Sequence, residues 1–340
     1  MKTGFEYYYR PNKREVDAIL QNGTLFFDTN VLLDVFRVEK KSAQILLKVF
    51  DHLKTRVKLP YHVVEEYHKD YLSVLVQQKV YLKNAVNSLK DKEKGMVSFA
   101  NGKDYSKLSK YAKTIMRQAL EKASRSVEIS YKTTIKHLEN EIQNDTLINK
   151  LSEIFTTCVL PSLTQQELEA IYSEGVSRYI GEVPPGYKDA DKDKSGILKN
   201  PKGTPIKTDS QNVFGDLVIW NEIIKYATTN QTDVIFVSND VKEDWLCEIC
   251  NEKHGPRIEL LEEFHKKSGG HRILIYSFEQ FILKLNEIER FFSDAELKSA
   301  ISSLDEPWKR EERYKTRFYK DTVYGIPKVI SEPKAAKGTT

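Results

Sequence analysis

Leu25-Phe26-Phe27-Asp28-Thr29-Asn30 is the stretch on which the reading of this chain turns. Three consecutive bulky apolar residues suit a short strand buried on both faces, and the carboxylate that follows stands at the strand's carboxyl end. The form recurs. Val234-Ile235-Phe236-Val237 leads through Ser238 and Asn239 to Asp240, residues 272–276 make a third apolar run, and Arg56-Val57-Lys58-Leu59 supplies a fourth. Helical spacing fills the intervals: residues 14–21, closed by Asn22-Gly23; then Ile45, Leu46, Val49, Phe50 and Leu53; then, after Pro60, a long stripe of Val64, Tyr67, Tyr71, Val74, Gln78, Tyr81, Ala85 and Leu89. Strands alternating with helices indicate βαβ units and a parallel sheet.

Open α/β sheets place their ligand sites at the carboxyl ends of the strands, where Asp28 and Asp240 both fall. Two carboxylates side by side repel, and a divalent cation with a preference for hard oxygen ligands, Mg²⁺ or Mn²⁺, removes the conflict. A single Asp at such a place more often caps a turn or helix. Two further acids strengthen the chemical reading. Glu66 follows the strand at 56–59 on the helix after Pro60, although its neighbour Glu65 lies close enough around the helix that spacing does not choose between them. Asp216, in Phe214-Gly215-Asp216-Leu217-Val218-Ile219-Trp220, is an acid among apolar residues at a helix start, where the helix dipole alone could satisfy it.

Residues 1–72 read as the first part of an α/β core, 73–181 as a helical insertion, 182–290 as the second part of the core and 291–340 as a C-terminal helix with a disordered tail. The insertion is Lys-rich, with expected breaks near Gly95 and Asn101-Gly102. Within it, Ile135, Leu138, Ile142, Leu151, Ile154 and Phe155 suggest one helix with a buried face. Thr164 to Glu167 has capping-box spacing, as do Ser277 to Gln280 and Ser293 to Glu296. Residues 183–205 form a long polar, Gly/Pro-rich loop. The chain carries a net charge of only +4, but residues 79–136 hold 14 Lys and Arg against 5 Asp and Glu, a local +9. That asymmetry fits a surface for a polyanion, and equally a solvated helical face. Three cysteines and no apolar signal core point to a reducing cytoplasm. No apolar run approaches the length of a membrane span.

Taken in order, residues 26–30, Leu59-Pro60 through Glu66-Tyr67-His68, residues 215–220 and Val237-Ser238-Asn239-Asp240 resemble a PIN-domain nuclease, most closely the larger PIN-like branch with a helical insertion. Residues 184–189, 242–245 and 257–264 leading to Tyr276-Ser277-Phe278 resemble that branch too, so the likeness covers roughly residues 5–285. It implies a PIN-like three-layer α/β sandwich with a central parallel sheet, and metal-dependent hydrolysis of phosphodiester bonds at a one- or two-metal site. Asp28 would hold or bridge the ions, and Asp240, Asp216 and Glu66 would complete the ligands; the resemblance selects Glu66 because it precedes Tyr67-His68. Asp244, four residues past Asp240, is a further candidate ligand. Asn30 and Ser238 are candidates for contacting substrate or orienting carboxylates, and Lys188 for contacting phosphate. The resemblance favours RNA over DNA and an endonuclease over an exonuclease, and leaves open a toxin or phage-defence role, a protein partner or a homo-oligomer.

Three other readings compete. A non-cleaving nucleic-acid or partner-binding protein could use the same basic segment, with Tyr81, Phe99, Tyr105, Tyr111 and Tyr131 interleaved, but gains nothing from clustered acids. A phosphatase of the haloacid dehalogenase type needs a second Asp two residues after the first, where this chain has Asn30. Cys247 and Cys250, expected on a helix, offer with His254 only three of the four ligands of a structural zinc site, unless His265 or His271 supplies the last. If the basic segment binds a polyanion, neutralising Lys103, Lys107, Lys110 and Lys113 together weakens binding and lowers the slope of log affinity against log salt, by about 1 for each phosphate left without its cation. Binding titrations over a salt series, in an Asp28→Asn background, read this directly; equal slopes would mark a merely solvated face.

Overall fold

The computed structural model describes residues 1–100, 109–192, 198–199, 205–206, 211–240, 242–250 and 252–304. Lys103, Tyr105 and Lys107, much of the 183–205 loop and the tail beyond 304 lie outside these. In chain order the first elements are α1 (Lys13–Asn22), β1 (Thr24–Phe27), α2 (Thr29–Leu33), α3 (Lys40–Leu53), β2 (Val57–Lys58), α4 (Tyr61–Ala100), α5 (Lys110–Asn144), α6 (Thr146–Phe155) and α7 (Gln165–Ile180). There follow β3 (Leu198–Lys199), β4 (Pro205–Ile206), α8 (Gly215–Asn230), β5 (Val234–Val237), β6 (Leu246–Ile249), β7 (Glu252–Pro256), α9 (Ile258–Lys267), β8 (Ile273–Tyr276), α10 (Phe278–Glu289) and α11 (Asp294–Leu304).

The fold is mixed α/β around a central parallel sheet of four strands in the order β2-β1-β5-β8. Side chains alternate across a strand, so neighbours in β1 face opposite layers. Phe26 meets Tyr226 of α8, and Phe236, its partner in register, packs on Trp245, which sits against Trp220 of α8. Trp220 in turn packs on Phe264 of α9. Phe27 turns the other way, into a cluster with Phe50 of α3, Phe155 of α6, and Phe278 and Phe281 of α10. One layer of helices thus covers each face, and the sheet between them is fully buried, which is why its strands are apolar throughout.

Local signals set the helix ends. Asn12 with Glu15, Thr164 with Glu167 and Ser277 with Gln280 form capping boxes at α1, α7 and α10. Three expectations need correction. Gly95 does not break α4, which runs on to Ala100; one glycine costs a helix about 1 kcal/mol, too little to end it. The pattern at 135–155 is two helices, because Asp145 adopts a left-handed φ of 50° that separates α5 from α6. Cys247 and Cys250 belong to a hairpin rather than a helix: β6 pairs antiparallel with β7, and Cys250 at the turn has φ 54°.

The expected stripe on α4 is buried only at its start. Tyr67, Val74 and Leu75 are in the core, whereas Tyr81 is 65% and Leu89 49% exposed. Beyond the sheet, α4 packs mainly on α5, tied by Lys79–Glu139 at 2.5 Å and Lys90–Glu128 at 3.7 Å. Among the described residues, no helix is long and apolar enough to cross a membrane.

The Phe27 cluster holds the strand end from which Asp28 projects. Phe27→Ala is expected to lower unfolding free energy by about 3–5 kcal/mol, and Phe27→Leu by considerably less. Urea titrations of the two variants against the parent check this.

Candidate metal centre

Parallel pairing brings the expected acids together. Phe27 is level with Val237, and the next step of the ladder is the Asp28 N–H donating to the Val237 carbonyl at 3.0 Å. Asp28 therefore leaves β1 beside Ser238, which leaves β5. The Asp28 carboxylate accepts from the Thr29 N–H (2.7 Å), Ser238 Oγ (2.5 Å) and Asn30 Nδ2 (2.5 Å). Ser238 Oγ in turn accepts the Asp240 N–H at 3.0 Å. Asn30 and Asn239 join the loops: Asn30 Oδ1 accepts the Asn239 N–H (2.9 Å), and Asn239 Oδ1 accepts the Phe278 N–H (3.0 Å) at the end of β8. Burial pushes the Asp28 carboxyl up to about 6, against the Ser238 hydrogen bond and with help from the charges of Asp240 and Glu66.

Glu66 reaches this cluster from α4, its Oε2 accepting from Thr29 Oγ1 at 2.7 Å. Its Oε1 lies 3.4 Å from His62 Nε2. Glu65 takes another direction: it is 43% exposed and pairs with Lys69 at 3.0 Å. The start of α4 is anchored on α8, where Glu222 accepts the N–H groups of Tyr61 (3.1 Å) and His62 (3.2 Å); burial pushes its carboxyl up to about 7. The two helices meet at Gly215, where a Cβ would stand 2.9 Å from Glu66 Oε1 and 3.1 Å from His62 Nε2. Only a residue without a side chain admits that approach.

Asp216, in the first turn of α8, accepts from Trp245 Nε1 at 3.2 Å. Burial first, then the charges of Asp189, Asp240 and Asp28, raise its carboxyl well above the usual range, although Lys242 opposes the shift. Lys242 Nζ lies 2.8 Å from Asp189 Oδ1, 2.8 Å from Asp240 Oδ2 and 3.9 Å from Asp216 Oδ2. Burial disfavours that ammonium, but the carboxylates outweigh it and hold its pKa above the ordinary lysine value. Asp244 is fully buried, and its Oδ2 accepts the N–H groups of Gly186 (3.1 Å) and Lys188 (3.2 Å), tying the loop that carries Asp189 to the site. Lys188 turns its ammonium to Glu243 at 2.8 Å.

The structure thus gathers Asp28, Glu66, Asp216 and Asp240 in one acidic pocket. Asp189 and Lys242 join them, although neither is singled out by the sequence; both lie in stretches whose family likeness could have nominated them. Among the described residues, no group of three or more His, Cys, Asp or Glu side chains converges as the ligands of one ion, Cys247, Cys250 and His254 included. Lys242 stands between the carboxylates instead. The donors still fit a hard divalent cation: they are carboxylate oxygens, and an ammonium drawn in among three of them marks a place where positive charge is stabilised.

A family model described as a PIN-like domain matches residues 24–260, from β1 into α9. The chain belongs to that family. PIN domains are generally nucleases and typically use divalent metal ions. No curated protein and no solved structure matches the chain.

The raised Asp28 pKa has a consequence with a definite sign. An acid whose pKa is higher folded than unfolded costs stability above the unfolded value, and the cost grows as pH climbs from about 4 to about 6. Metal-free Asp28→Asn is therefore expected to melt at or above the parent temperature at pH 8, with the difference closing below about pH 4. Thermal melts in chelator across this range test it; a variant uniformly less stable at every pH would reject the electrostatic account.

Proposed function

We propose that this protein is a divalent-metal-dependent nuclease, an endoribonuclease whose acidic centre is built from Asp28, Glu66, Asp216 and Asp240. The observation that carries this reading is the continuous chain Glu66–Thr29–Asp28–Ser238–Asp240, in which side chains from β1, α4 and β5 share one hydrogen-bonded run at the carboxyl edge of the sheet. Burying like charges side by side is costly, and a protein that merely bound a polyanion would be hindered by them.

Asp28, Glu66 and Asp240, with Asp216 beside them, would hold Mg²⁺ or Mn²⁺, which when bound lowers the pKa of a water and neutralises charge on the scissile phosphate. Ser238 and Asn30 both donate to Asp28, so their part is to fix its carboxylate rather than to touch substrate. Thr29 does the same for Glu66. Asp244 holds the 186–189 loop in place, a positioning role. For Lys188 to contact phosphate it would have to leave Glu243. The basic hairpin of α4 and α5 supplies a surface for the nucleic acid: Tyr81 and Tyr111 are 65% and 75% exposed there, free to stack on bases, and Lys110 and Lys113 share their helices.

Asp28→Asn is expected to reduce cleavage at least about 100-fold, since lesser changes to groups around metal ligands already cost 10–100-fold. Glu66→Gln should behave likewise, while Glu65→Gln should retain most activity. The assay is a gel of labelled single-stranded RNA and DNA with Mg²⁺, Mn²⁺ or chelator. Parent-level cleavage by Asp28→Asn would overturn the assignment, and tight binding without cleavage by the parent would make this a non-cleaving nucleic-acid-binding protein.

A further inference from the structure

Lys242 is not a casual surface ion pair. Its backbone is held in a tight turn: its N–H donates to Asp240 Oδ1 at 3.0 Å, and its carbonyl accepts the N–H groups of Trp245 and Leu246, each at 3.1 Å. From that turn the side chain, 34% exposed, passes inward. Its ammonium lies 2.8 Å from carboxylates on two separate segments and 3.9 Å from a third. The acids of the site consequently divide in two. Asp189 and Asp216 flank Lys242, whereas Asp28 is met by the uncharged donors of Thr29, Asn30 and Ser238, and Glu66 by the Thr29 hydroxyl. Asp240 lies between the groups, its Oδ2 on Lys242 and its N–H on the same Ser238 hydroxyl that binds Asp28.

Resting on the metal-dependent reading above, we propose that Lys242 permanently fills one of the two cation positions of this pocket, so that the site takes a single divalent ion, on the Asp28–Glu66 side. Two-metal nucleases hold their ions about 3.5–4 Å apart, bridged by a shared carboxylate. Asp240 is placed as such a bridge, but what it bridges to is an ammonium. A lysine is a compact point charge with three donors, suited to three surrounding carboxylates, and unlike an ion it does not dissociate. The positive charge on the Asp189–Asp216 side is therefore independent of metal concentration, and only one ion need be recruited.

The count of bound ions tests this without reference to activity. The full chain, stripped with chelator and exchanged into buffer, is titrated with Mn²⁺ while free Mn²⁺ is followed by electron paramagnetic resonance. The parent should bind one equivalent. Lys242→Met and Lys242→Gln should bind two, Lys242→Arg should stay at one, and Asp28→Asn should lose the parent's single equivalent. Thermal melts in chelator establish which variants are folded, and the parent's count decides the matter even if both neutral variants unfold. Two equivalents on the parent, or one on a folded Lys242→Met, would overturn the role of Lys242 while leaving a metal centre in place. No binding by the parent would instead remove the metal reading itself, and this inference with it.

Discussion

The register between β1 and β5 is the constraint on which the rest of the site depends. Because Phe27 pairs with Val237, Asp28 and Ser238 emerge side by side from the buried sheet, and Asp240 follows within hydrogen-bond reach. A slip of one residue would turn Phe27 out of its aromatic cluster and Asp28 away from Ser238 at once. Packing and chemistry are thus specified together. The apolar side chains that make the strand end unable to shift also deny water to the carboxylate beyond it.

That denial is the central electrostatic problem of the molecule. Carboxylates drawn from five segments share a poorly hydrated pocket, and most of what surrounds them offsets the cost. Hydroxyl, amide and indole donors from Thr29, Ser238, Asn30 and Trp245 each satisfy an oxygen, and Lys242 supplies full positive charge. What these donors leave is a preference for cations, expressed in the upward shifts of Asp28 and Asp216. Gly215 shows how tightly the arrangement is drawn, since a single methyl group there would strike Glu66 and His62.

The α4–α5 hairpin stands in contrast. Its first turns are part of the core and carry Glu66, but its remainder buries little against the sheet, is stitched by exposed ion pairs worth about 0–1 kcal/mol each, and shows tyrosines to solvent. One continuous helix therefore joins the acidic centre to a basic surface, so a nucleic acid lying along the hairpin would approach a pocket whose own charge repels it.

Much of this was determined by the sequence alone. Short apolar runs each ended by an acid or a serine implied buried parallel strands with their chemistry at the carboxyl edge, and Asp28 and Asp240 could be placed there because strand ends are local features. Capping boxes at Thr164 and Ser277 were legible for the same reason: the partners are three residues apart. What depends on contacts between distant segments was not legible. The phase of α4 that turns Glu66 inward and Glu65 outward is decided by Glu222 and Gly215, some 150 residues further on. Cys247 and Cys250 lie in a hairpin because β7 pairs with β6, which overrides their weak helical pattern. Asp189 and Lys242 became part of the site only when the loop tied down by Asp244 and the turn after Asp240 met in space. An ammonium among three carboxylates from separate segments leaves no spacing in the chain, because its position is set by the folded electrostatics rather than by any neighbour in sequence.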